Sequence, residues 1–105
     1  MGEFVNVGKV SDFKEGKGRA VKVNEDLEIA LFMKDGKIYA IDEHCAHQGG
    51  PLSEGGLEEF VVTCPWHQMM YDIRTGKAAP GAWDQEYSEK TFNVKVEGDE
   101  VMVEV

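Results

Sequence analysis

The sequence predicts an all-β protein of antiparallel sheets, with a β-sandwich or barrel-like base carrying a small loop-rich insert. Three observations point there. Short apolar runs, many alternating with polar residues, are bounded by Gly and Asp. Two turn signals, Asp35-Gly36 and Gly98-Asp99, separate pairs of such runs. No window keeps a helical period for long.

In chain order, the expected strands of the base are Phe4 to Val10, Arg19 to Val23, Ile29 to Met33 and Lys37 to Ile41. The last two flank Asp35-Gly36, whose residues tolerate the positive φ that a two-residue hairpin turn demands. Ser11-Asp12-Phe13 starts at most one helical turn, because Gly16 and Gly18 follow closely. At the far end Phe92, Val94 and Val96 alternate with polar neighbours and are answered by Val101, Val103 and Val105, a second hairpin. Between them, about residues 42–83, glycines crowd in with Pro51, Pro65 and Pro80, and loops are expected to dominate. The 105 residues, 42% of them hydrophobic, suit one domain, with a base of about 1–41 and 84–105 and an insert of about 42–83.

Composition narrows the function. A net charge of -9 argues against a nucleic-acid ligand, which needs clustered Lys and Arg, and favours a basic protein partner. No stretch approaches the ~20 apolar residues of a membrane span, and the N-terminus lacks the features of a secretory signal, so a cytoplasmic protein is expected. Within residues 42–81 the acids Asp42, Glu43, Glu54, Glu58, Glu59 and Asp72 outnumber Arg74 and Lys77, which reads equally as a solvated face or a docking patch.

The insert holds both cysteines and all three histidines. Cys45-Ala46-His47 and Cys64-Pro65-Trp66-His67 are two ligand pairs separated by sixteen residues, each offering a thiolate and an imidazole. A Cys45–Cys64 disulfide is disfavoured in a cytoplasmic protein, and metal ligation is the main reading. Gly49 and Gly50 are candidates for close backbone approach to sulfur, while Gly55, Gly56 and Gly81 read as ordinary turns. A structural zinc module remains an alternative, although zinc fingers place a His pair on a helix, which this pattern does not.

Cys-x-His, sixteen residues, then Cys-x-x-His resembles the ligand pattern of Rieske proteins. With Tyr71-Asp72, Thr75-Gly76, Pro80 and the closing hairpin, the chain is similar to the soluble Rieske ferredoxins of ring-hydroxylating dioxygenases. The resemblance implies one [2Fe–2S] cluster, with Cys45 and Cys64 on one iron and His47 and His67 on the other. It implies an electron carrier, not an enzyme, that takes electrons from a flavoprotein reductase and passes them to a terminal oxygenase. A small Rieske subunit of a larger reductase, such as nitrite reductase, is the near alternative. A monomer is expected.

The resemblance also implies tuning residues. Pro80 occupies the position of a loop that shields the cluster, and Tyr71 that of a tyrosine whose hydroxyl bonds a cysteine sulfur. Met69 stands where high-potential members carry a serine, so a potential in the lower part of the roughly -150 to +300 mV Rieske span is expected. Gln68 replaces the glycine that usually follows the second ligand histidine, and Gln48 and Gln68 could border the exposed edge of the cluster. His44 matches no ligand position and reads as solvent-facing or capping, while Trp66 and Trp83 read as packing residues.

Overall fold

The computed structural model describes residues 3–44, 50–66, 68–82 and 85–105. Its strands are β1 (Phe4–Lys9), β2 (Gly18–Asn24), β3 (Leu27–Lys34), β4 (Lys37–Asp42), β5 (Gly56–Glu58), β6 (Val61–Thr63), β7 (Met70–Asp72), β8 (Thr91–Phe92), β9 (Val94–Glu97) and β10 (Glu100–Glu104). They form three antiparallel sheets, ordered β1-β10-β9, β2-β3-β4-β8 and β5-β6-β7. The helical content is two short 3-10 turns among the described residues, Val10–Asp12 and Leu52–Glu54. No described helix is long and apolar enough to cross a membrane.

The central sheet is covered on both faces, and the sequence of β3 explains how. Ile29, Ala30, Leu31 and Phe32 are all fully buried, a continuous apolar run of the kind a doubly covered strand requires. Because successive side chains point to opposite faces, Ile29 and Leu31 enter one core while Ala30 and Phe32 enter another. β4 repeats the division, with Ile38 and Ala40 on the first side and Ile41 on the second. The first core joins Val7, Phe92, Val101 and Val103 and holds the base together. The second joins Leu52, Val62, Cys64, Met69, Tyr71 and Ile73, and seats the small sheet on the base.

The β3–β4 hairpin turns at Asp35 (φ +55°) and Gly36 (φ +79°), as its sequence predicts. Glu15 steadies it, its carboxylate accepting the Asp35 N–H at 2.7 Å. The base is an open pair of packed sheets and not a closed barrel.

The insert is loop-rich as expected, with β5, β6 and β7 as a small sheet among its loops. Two expectations need correction. The expected strand through Phe92, Val94 and Val96 is two strands. Phe92 pairs with Ala40 in the central sheet, and the chain changes sheets at Asn93, so that Val94 pairs with Val103. Gly55 is more than a turn, because a Cβ there would collide with the Thr63 carbonyl oxygen.

Candidate metal centre

Cys64 follows β6 directly. In-and-out alternation sends Val62 and Cys64 inward while Val61 and Thr63 stay half-buried on the outer face. The thiol is fully buried, beside Met69 and Tyr71. Its backbone N–H donates to the Met69 carbonyl at 2.7 Å, which closes the turn that carries Pro65, Trp66 and Gln68. Met69 therefore packs inward, while Pro65 and Gln68 are exposed. Trp66 is 51% exposed, with its inner atoms packed against Gly50 and the rest of the ring open to solvent.

Gly50 packs against the turn that carries Cys64. A Cβ on Gly50 would stand 2.7 Å from Cys64 Sγ and 2.9 Å from Trp66 Cγ, closer than atoms can pack, so only glycine fits. A sulfur sealed from solvent and covered by bare backbone suits a thiolate that ligates a soft metal, and these residues fit an iron–sulfur group. Cys45, His47, Gly49, His67, Gln48 and Trp83 lie outside the described residues.

The ends of the first loop are tied. His44 and Pro51 form a bridge, and the Leu52 N–H donates to the Glu43 carbonyl at 2.8 Å. The Glu43 side chain, only 4% exposed, accepts from Ser53 twice: Oε1 from the N–H at 2.8 Å and Oε2 from the hydroxyl at 2.7 Å. Burial pushes the Glu43 carboxyl up, opposed by those two bonds. Sequence reading counted Glu43 among surface acids and missed this; the Asp42-Glu43-His44 run gives no sign of it. His44 faces solvent as expected, its Nε2 at 3.6 Å from Glu28 Oε1.

Beyond the turn, Tyr71 is fully buried in the same core as Cys64. Asp72 takes a two-point contact from Arg74, with Nε at 3.0 Å and Nη2 at 2.8 Å, which holds its carboxyl below the usual range. Arg74 also lies over Phe60, 4.2 Å from the ring centroid. With Glu43 buried and Asp72 paired, the acidic patch shrinks to Glu54, Glu58 and Glu59, all exposed, and the half-buried Asp42. Pro80 is exposed on a loop over the outer face of β6 and β7, bordering a groove of about 340 Å³ with Thr63 and Met70. The loop is held by the Ala79 N–H on the Met70 carbonyl at 3.0 Å. Gln85 fastens it further, its amide donating to Ala79 O at 2.8 Å and Ala82 O at 3.0 Å.

A small sheet that turns a buried cysteine toward a glycine-lined loop, seated on a two-sheet base, defines an iron–sulfur protein of Rieske type. The Rieske [2Fe-2S] domain family matches residues 3–93, and the chain belongs to it. It is 37% identical over 102 residues to the ferredoxin component of the naphthalene 1,2-dioxygenase/salicylate 5-hydroxylase systems of a Ralstonia species, covering 97% of this chain and 95% of that one. The solved Sphingomonas yanoikuyae B1 ferredoxin superposes with a TM-score of 0.89 at 26% identity, covering 98% of this chain and 99% of that one. One chain of a complex of reduced oxygenase and oxidized ferredoxin in carbazole 1,9a-dioxygenase gives a TM-score of 0.89 at 29% identity, covering 96% of this chain and 92% of that one. The protein is a ferredoxin-type carrier of electrons on a [2Fe–2S] cluster, not an enzyme by itself.

Proposed function

We propose that Cys45 and Cys64 hold one iron and His47 and His67 the other, and that the chain passes single electrons from a flavoprotein reductase to a terminal oxygenase. The observation that supports the ligand assignment is the approach of Gly50, three residues after His47 in sequence, to the sealed sulfur of Cys64. When bound, the cluster supplies a site that accepts and releases one electron. The chain's own residues exclude water from Cys64, close the turn from Cys64 to Met69, and leave Trp66 and Gln68 exposed. Tyr71, buried in the same core as Cys64, is read as tuning the potential, and Pro80 as shielding the cluster.

The oxygenase as acceptor is supported by the oxygenase–ferredoxin complex of carbazole 1,9a-dioxygenase, and by relatives that are components of dioxygenase systems. The reductase as donor follows from the need for an enzyme that splits an electron pair into single electrons. Residues 1–105 are read as one cytoplasmic, monomeric domain, with the sheet β5-β6-β7 as the core of the cluster-binding insert.

The test is anaerobic purification, iron and acid-labile sulfide analysis, and electron paramagnetic resonance after dithionite reduction. A rhombic [2Fe–2S] signal that disappears on Cys45→Ala, His47→Ala, Cys64→Ala or His67→Ala, but persists in His44→Ala, supports the assignment. A colourless protein holding zinc, or loss of the signal in His44→Ala alone, overturns it.

A further inference from the structure

We infer that Glu43 is a positioning residue that sets the first ligand loop against the second, by clamping Ser53 across residues 45–49. The inference rests on the ligand assignment above. Burying a carboxylate is costly, and an apolar side chain of similar size would fill the space more cheaply. What a carboxyl adds is two acceptors at a fixed spacing, and both are used on one residue, the N–H and hydroxyl of Ser53.

The backbone of Glu43 joins the same knot. Its N–H donates to the Glu28 carbonyl at 3.1 Å, anchoring it to the central sheet, and its carbonyl accepts from Leu52 at 2.8 Å. The chain thus leaves the sheet at Glu43 and returns to the same residue at Leu52 and Ser53. On the return it passes Gly50, packed against Cys64 Sγ, and Leu52, fully buried in the core that holds Cys64. Fastened at Glu43, the returning limb holds Gly50 at one position against Cys64 Sγ. Freed from Ser53, the returning limb could shift at Gly50, where there is no spare room beside the sulfur.

The experiment compares Glu43→Leu, Glu43→Gln and Ser53→Ala with the wild type. Leu31→Ala, in the core remote from Cys64, serves as a control for simple destabilisation. Each is scored for iron and sulfide retained during chelator challenge, for the g-values of the reduced cluster, and for thermal unfolding of the cluster-loaded protein. Glu43→Leu should retain the cluster about 10-fold less well, the scale on which loss of a ligand-orienting partner acts, and shift the g-values of what remains. Glu43→Gln should restore the wild-type spectrum, because its amide oxygen can accept the Ser53 N–H while its NH2 donates to the Ser53 hydroxyl. Ser53→Ala should fall between.

Two results would overturn the inference: Glu43→Leu with wild-type g-values and a retention loss no larger than that of Leu31→Ala, or Glu43→Gln behaving like Glu43→Leu. If Glu43→Leu does not fold, Ser53→Ala decides, a shifted spectrum supporting the clamp and an unshifted one ending it. Absence of a [2Fe–2S] signal from the wild type would instead fail the ligand assignment, before any variant is compared.

Discussion

Gln68 adopts φ +58°, a left-handed conformation in which a side chain crowds its own backbone. The turn from Cys64 to Met69 needs that conformation, and it explains why a glycine would be at ease there. Gln68→Gly is expected to stabilise the protein by up to about 1 kcal/mol, read as a raised thermal midpoint with the cluster signal retained. A lowered midpoint would mean that the glutamine makes contacts worth more than the strain. Asp72 gives a pH signature. Its carboxyl is held below its usual range by Arg74, so the bond stabilises the fold above the unfolded-state value and is lost as pH falls through the folded one. Asp72→Asn should therefore weaken the protein against urea at pH 7 and have a smaller effect near pH 3. Equal losses at both would assign the effect to packing.

At the scale of elements, the loop that carries Pro80 is fastened by a nearby side chain. Gln85 holds both the Ala79 and Ala82 carbonyls and so fixes the loop that carries Pro80. Removing both bonds with Gln85→Ala should cost about 1 kcal/mol locally, accelerating exchange of the Ala79 amide about 5-fold in hydrogen-exchange measurements while the β3 amides are unaffected. No change at Ala79 would show that its bond to Met70 suffices. Both hairpin turns of the base were legible because turn chemistry is local: Asp35-Gly36 and Gly98-Asp99 carry their geometry in two residues. The strands β5, β6 and β7 were not, since Gly55, Gly56 and Pro65 give that region the texture of a loop, and pairing with a neighbour makes the strand.

Across the whole molecule, β3 divides the protein into two cores, and the division predicts separable consequences. Leu31→Ala and Phe32→Ala each leave a cavity and should lower stability by roughly 2–5 kcal/mol in denaturant titrations. Only Phe32→Ala opens the core containing Cys64, so it alone should also alter the spectrum of the reduced cluster. Equally altered spectra in both variants would mean that the two cores are mechanically coupled, and unaltered spectra in both would mean that Phe32 does not reach the cluster.

The sequence by itself determined the chemistry of this protein. The two Cys/His pairs whose spacing resembles the Rieske pattern are local in sequence, and so are the apolar runs that make β3 and β4 and the alternation that makes β10. Only the tertiary structure decided which acid is buried, that Trp66 is exposed, and where the strand after Phe92 changes sheets. Those outcomes depend on partners distant along the chain. Glu43 is ten residues from the serine it holds, and Gly50 is fourteen from the sulfur it covers. No local pattern records such contacts, because they arise from the packing of one sheet on another.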